Sequence, residues 1–296
     1  MENTTKAEPL TLKAQISQLI EPEDISIIMP VYNHEATVAE ALESALMQEM
    51  PYRSVIYCLN DASTDKSAEV LNDYAQRYPE RIKVYTSTTN QGSGKKSFYH
   101  NRPPIQGRYW CLLEGDDFWT STDKLAKQIS FLDAHSDYVG CSCNTVMKNE
   151  LTNEESIIRP DKHTWNIYDL ILLERRYAFY VHTSSITWRN IYLDQGYFLP
   201  PAFKKEYAQG DVVLMHMMLG KGGKVHNIDE VMSCYRVTGR GIWTGRSVKE
   251  QAEASVRQKE NIKLARTFKC KIFLALQGIR SYSNNIKKLI PGPVNE

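Results

Sequence analysis

ISIIMPVYNHEATVAEALESALMQEM, residues 25–50, decides the fold class. Its first part is a nearly continuous apolar run, 25–32, broken by Pro30 near its end. A strand with one face in water alternates apolar and polar residues, whereas a strand covered on both faces does not. Residues 25–32 therefore read as a buried parallel strand. After Tyr32 the pattern changes. Val38, Ala41, Leu42, Ala45 and Leu46 fall on one side of a 3.6-residue period, which is an amphipathic helix. Parallel strands need a crossover connection, and a strand followed directly by a helix supplies one.

The same unit recurs. SVIYCLN (54–60) reads as a second buried strand. The next helix takes a cap at Ser63 or Thr64, presents Ala68, Leu71, Tyr74, Ala75 and Tyr78 on one face, and stops at Pro79. IKVYT (82–86) is a third strand, NQGSGKKS leads into another helix, and RYWCLL (108–113) is a fourth strand. A helix after Asp123 runs to about His135, with Leu125, Ile129 and Leu132 together; YVGCSCN (138–144) follows as a strand. Further on, 165–176 reads as a helix, 184–190 as a strand, 210–223 as a helix with Asp211 near its start, and 224–237 as two short strands. This alternation predicts an α/β fold, a Rossmann-like α/β/α sandwich with a mostly parallel central sheet and a helical C-terminal tail. Residues 1–23 read as a polar leader, 24–245 as the ordered domain, and 246–296 as a basic helical extension.

Bulk properties exclude several classes. Among 296 residues, 42% are hydrophobic and 24% charged, which suits a globular protein. The net charge of +1 gives no field to attract nucleic acid. The six cysteines are scattered and read as reduced core residues, which fits a cytoplasmic protein. The leader lacks a signal-peptide core, and no apolar run approaches the roughly 18 residues of a membrane span. The stretch 268–290 mixes apolar residues with Lys and Arg. It suits either peripheral contact with an anionic membrane surface or packing against the domain.

In open α/β sheets ligands bind beyond the carboxyl ends of the strands. That rule brings 30–35, 60–61, 90–96 and 114–117 to one crevice. Glu114, Asp116 and Asp117 crowd three like charges into four residues. A hard divalent cation, Mg²⁺ or Mn²⁺, would offset their repulsion; a solvated acidic turn or a helix N-cap is the alternative. Asp61 can accept a ring N–H and so read a pyrimidine such as uracil, while Ser63, Thr64 and Asp65 look like capping residues. Pro30 can pack on a base or ribose and Tyr32 can cover a ring face, although the spacing alone says only strand-to-helix turn. Lys95 and Lys96 suit a phosphate or a solvated loop. Thr89 stands where a P-loop needs its first Gly, and no G-x-G-x-x-G follows the first strand, so ATP-loop and dinucleotide readings lose support. His182, His216 and the run 215–218 read as packing residues.

The first strand and helix, YCLNDASTDKSAEVL and YWCLLEGDDFW, in this order, resemble the inverting glycosyltransferases of family 2 with their GT-A fold. The resemblance extends over about 25–245. It implies a catalytic domain with a nucleotide-sugar half, 24–122, and an acceptor half, 123–245. By position, Pro30, Tyr32 and Glu35 would surround base and ribose, and Asp61 would read uracil. Asp116 and Asp117 would form the metal- and ribose-binding acids, with Glu114 outside the ligand shell. Asp211 would be the general base. Relatives carry a His where this chain has Thr238, and Arg236 and Arg240 stand nearby as diphosphate partners. The implied reaction is a metal-assisted single displacement from a UDP-sugar to a saccharide or lipid-linked acceptor in surface-polysaccharide assembly. A non-catalytic nucleotide-sugar-binding scaffold and a nucleotidyltransferase are the alternatives.

Overall fold

The computed structural model describes residues 23–90, 106–167, 169, 181–191, 214–215, 218–239, 247, 249–250 and 253. The leader up to residue 22, Lys95 with its Gly-rich loop, most of 165–176, Asp211, Arg240 and the 268–290 stretch lie outside these residues.

The apolar run forms β1 (Ile25–Val31). It lies between β2 (Ser54–Asn60) and β4 (Tyr109–Leu112), parallel to both; β3 (Ile82–Thr86) extends the sheet beyond β2, again parallel. All of β2 is buried, the result expected of a strand covered on two faces. The remaining strands among the described residues are β5 (Phe118–Trp119), β6 (Tyr138–Asn149), β7 (Glu154–Ile158), β8 (Thr164–Trp165), β9 (Thr187–Arg189) and β10 (Lys224–Val237). The sheet order is β3-β2-β1-β4-β9-β6-β10-β5, with β7 paired to β6 and β8 to β10. β6 and β10 are parallel over a long register, while β9, β5, β7 and β8 add short antiparallel pairings.

Side-chain alternation divides the core between two faces. Ile25, Ile27, Met29 and Val31 point to one face, with Ile56 and Cys58. Among the described residues, three helices cover it: α1 (Val38–Leu46), α2 (Ser67–Arg77) and α3 (Lys124–Ala134). Their buried residues include Val38, Ala41, Leu42, Leu71, Tyr74, Leu125, Ile129 and Leu132, as their periodicity predicts. The opposite face holds Ile28, Leu59, Trp110, Trp165 and Trp188, joined by Leu214, Met218 and Leu219. Trp110 and Trp188 stack with centroids 6.2 Å apart.

Two expectations change here. The segment 224–237 is one strand, β10, rather than two. Its polar centre bulges through register shifts at Ile228/Val231 and Val231/Ser233. Asp229 accepts from Asn144 Nδ2 at 2.8 Å and Glu230 pairs with Lys127, so the polar residues are satisfied without a turn. The strand at 138–144 also continues to Asn149. The five cysteines among the described residues are buried and unpaired, and burial raises the pKa of each. No helix among the described residues is long and apolar enough to cross a membrane.

Candidate functional site

The carboxyl ends of β1, β2 and β4 carry the candidate residues. The turn after β1 and the turn after β2 are laced together. Asn33 N–H donates to Ser63 Oγ, and Thr64 N–H donates back to Asn33 Oδ1 at 2.8 Å. His34 N–H donates to Ser67 Oγ, Glu35 N–H to Asp65 Oδ2, and Lys66 N–H to Glu35 Oε2. Ser63, Thr64 and Asp65 therefore tie one loop to its neighbour. Asp65 also caps the helix as expected, its Oδ1 accepting from the N–H of Ser67, the first helical residue, at 2.9 Å. Glu35 spends one carboxylate oxygen on the same lacing. Asn33 and Ala62 have φ of 56° and 55°. Asn tolerates this left-handed region; Ala62 is strained there.

Within this frame Tyr32 is 44% exposed at the mouth of the crevice, while Asp61 is buried with its N–H bound to Val31 O. Pro30 stays in the ladder opposite Leu59, and its carbonyl accepts from Gly115 N–H at 3.0 Å. The chain leaving β4 thus runs on beside β1 into the acid turn. A Cβ on Gly115 would lie 2.8 Å from His34 Nδ1 and 3.0 Å from Val31 Cγ2, so this position excludes a side chain.

The three acids separate. Asp116 turns toward His34, with Oδ2 3.7 Å from Nε2. Asp117 is 2% exposed and accepts from Arg236 N–H at 3.1 Å. Burial, then the charges of Asp116 and Glu114, raise its pKa well above the usual carboxylate value. Glu114 accepts from Thr183 Oγ1, 3.1 Å from both its carboxylate oxygens. The neighbour of Thr183, His182, is buried with Nδ1 3.6 Å from Asp117 Oδ2. Burial lowers its pKa to about 3, so the imidazole is neutral; its Nδ1 accepts from Ser184 N–H at 3.4 Å and lies 2.7 Å from Ser184 Oγ. It stacks on Tyr235 at 4.3 Å.

Glu114, Asp117 and His182 offer ligand atoms that all lie within 4.8 Å of one another. Two carboxylates and a neutral imidazole suit a divalent cation such as Mn²⁺, which accepts both oxygen and nitrogen. A cation here would also relieve the charge that burial makes costly at Asp117. The grouping differs from the Asp116–Asp117 pair read from sequence: Glu114 stands inside it, Asp116 beside it. His182 has no local signal. It arrives because β9 runs antiparallel to β4, Cys111 opposite Thr187, so the turn entering β9 meets the turn leaving β4. Arg236 is placed differently as well. Its guanidinium binds Glu40 and Glu150 and lies 4.5 Å over the Phe118 ring; its backbone N–H bonds Asp117, and its charge opposes the rise of the Asp117 pKa.

Residues 26–194 match the family model described as Glycosyl transferase family 2. The chain belongs to this family. An uncharacterized protein of Mycobacterium tuberculosis is 28% identical over 221 residues, covering 74% of this chain and 60% of that protein. The chain thus spans about three-fifths of the relative's length. The poly(ribitol-phosphate) beta-glucosyltransferase of Bacillus spizizenii is 36% identical over 95 residues, 32% of this chain and 15% of that one. Among solved structures, TarS 1-349 of S. aureus in complex with UDP-GlcNAc aligns with a TM-score of 0.57 at 17% identity. The alignment covers 78% of this chain and 64% of TarS 1-349. The mannosyltransferase PcManGT of Pyrobaculum calidifontis, in complex with GDP-Man and Mn²⁺, aligns with a TM-score of 0.56, also at 17% identity, over 82% of this chain and 65% of its own. The family 2 fold accounts for the convergence just described: strand ends and the β9 turn deliver every described candidate residue to one edge of the sheet.

Proposed function

We propose that the chain is an inverting glycosyltransferase that moves a sugar from a nucleotide-sugar, a UDP-sugar first, to a saccharide or lipid-linked acceptor. The observation that carries this reading is the buried Asp117 grouped with Glu114 and the neutral His182, beside the laced loops that hold Tyr32 and Asp61. Tyr32 and Pro30 would border the base and ribose, Asp61 would accept a pyrimidine ring N–H, and Lys95 would meet the phosphates. The donor half is 24–122 and the acceptor half 123–245. Glu114, Asp117 and His182 would hold the cation, with His182 giving the imidazole that the Thr238 position lacks. A divalent ion there would stabilise charge on the departing diphosphate. Asp211 would remove the proton of the acceptor hydroxyl as it attacks from the opposite face. General-base catalysis of this kind contributes about 10²–10⁴-fold. A single displacement inverts the anomeric centre. The poly(ribitol-phosphate) in the name of the B. spizizenii relative, and UDP-GlcNAc in the TarS complex, support a role in surface-polymer assembly; the proposal places it in the cytoplasm, with the 268–290 stretch at the inner face of the membrane.

The test is a thermal-shift panel of UDP, GDP and CMP with and without Mn²⁺. A ligand that binds only the folded state raises the midpoint by mass action. The expected result is a rise with UDP that requires Mn²⁺ and disappears in Asp117→Ala. A rise with GDP alone would change the donor class. No response to any nucleotide would favour the non-catalytic scaffold.

A further inference from the structure

Lys124 and Gln128, in the first turns of α3, are completely buried. Gln128 uses its whole amide. Nε2 donates to Cys141 O at 2.9 Å and to Ser185 O at 2.8 Å, while Oε1 accepts from Lys124 Nζ at 2.9 Å and from Thr187 Oγ1 at 2.7 Å. An amide offers two donors and one oxygen with two lone pairs, so nothing is left over. Lys124 Nζ also lies 4.4 Å above the Trp119 ring, and Trp119 Nε1–H donates to Ser184 O at 2.8 Å. Both carbonyls at the end of the short turn Thr183–Ser185 are therefore held from the core, one by Gln128 and one by Trp119. Ser185 closes the turn, donating its N–H and its hydroxyl to His182 O at 3.0 Å and 2.7 Å. The start of the same turn presents His182 to Asp117 and Thr183 to Glu114.

We propose that Lys124 and Gln128 are positioning residues of the cation site: acting through the Thr183–Ser185 turn, they fix His182 and the partner of Glu114 without touching the ion. This rests on the reading of Glu114, Asp117 and His182 as that site. The design is costly, since burial lowers the Lys124 pKa and the groups whose charge opposes that fall are the Cys143, Cys111 and Cys141 thiols, not carboxylates. An ammonium buried without a carboxylate weakens a fold. A methionine would fill the same space at no such cost. Stability and site geometry therefore make opposite demands on Lys124, and that opposition separates the two roles.

The experiment measures Mn²⁺ affinity of the full chain by the electron-paramagnetic-resonance signal of the free ion, well below the melting midpoint. Lys124→Met is expected to keep or raise the thermal midpoint while weakening Mn²⁺ binding by roughly tenfold, the scale seen for outer-shell changes at metal sites. Trp119→Phe, which keeps a ring under Lys124 but releases the Ser184 carbonyl, is expected to weaken Mn²⁺ binding in the same direction. Ile129→Val, buried on the same helix but outside this network, should lower the midpoint and leave the affinity alone. Unchanged Mn²⁺ affinity in both Lys124→Met and Trp119→Phe would overturn the inference and leave the cation site standing. A parent protein that binds no Mn²⁺ would overturn the cation reading and the inference together.

Discussion

Gly115 shows how tightly the acid turn is fitted. The bond from its N–H to Pro30 O and the bond to its carbonyl from Thr37 Oγ1 fix the turn against β1 and the approach to α1. His34 fills the space a side chain would need, and its buried Nδ1 has no hydrogen-bond partner among the described residues. Gly115→Ala should therefore cost about 1–3 kcal/mol, the usual range for overpacking. Because the clash is with His34, the double variant Gly115→Ala/His34→Ala should recover part of that loss. Urea melts of the two single variants and the double variant check this. Additive losses would mean that Val31 or the backbone, and not His34, meets the new methyl group.

The elements differ in how they respond to acid. Phe131 of α3 lies between two imidazoles, His135 and His226, each stacked at 4.2 Å, while Tyr138 meets all three rings edge-on. The pKa of His226 is lowered by burial, then by the charges of His163 and His135. Lys224 and Asp137 pair with each other beside Tyr138, and Thr164 Oγ1 contacts His226 Nδ1. A base whose folded pKa is depressed gives stability that is present above the unfolded value, about 6.5 for His, and is lost as pH falls below it. The contact of α3 with β6 and β10 should therefore weaken below about pH 6.5. His226→Phe keeps the stack, and its midpoint should fall less between pH 7 and pH 5.5 than that of the parent. Equal slopes would remove His226 from the acid response. Elements such as α3 were legible in the sequence because one apolar stripe at a fixed period is a local signal. β5 and β8, two residues each, carry no period to read, and the bulge of β10 depends on partners at Asn144 and Lys127 that are distant in the chain. For the same reason Pro30, Tyr32 and Asp61 could be placed at strand ends from sequence, whereas the lacing role of Glu35 and the arrival of His182 could not.

At the scale of the whole molecule, the two faces of the sheet do different work. Helices α1, α2 and α3 cover one face and hold the strands whose ends carry Pro30, Asp61 and the acid turn. The other face is filled by Trp110, Trp165 and Trp188, and on it sit Leu214, Met218 and Leu219. Leu214 follows Asp211 by only three residues. If Asp211 is the general base, the apolar contacts of Leu214, Met218 and Leu219 would tie the residues that follow it to the same sheet that carries the acid turn. Damage to the two faces should then separate kinetically. Met218→Ala should cost about 2–5 kcal/mol through lost burial and a residual cavity. It should also lower kcat by about tenfold or more, because small displacements of a catalytic group are expensive, while UDP affinity stays near that of the parent. Ile129→Ala, a loss of similar size on the helical face, should lower stability with little change in kcat at a temperature where both variants are folded. Measuring kcat and the UDP dissociation constant side by side decides it. Equal kcat effects from the two variants would show that stability alone is being read, and that Leu214, Met218 and Leu219 do not position Asp211.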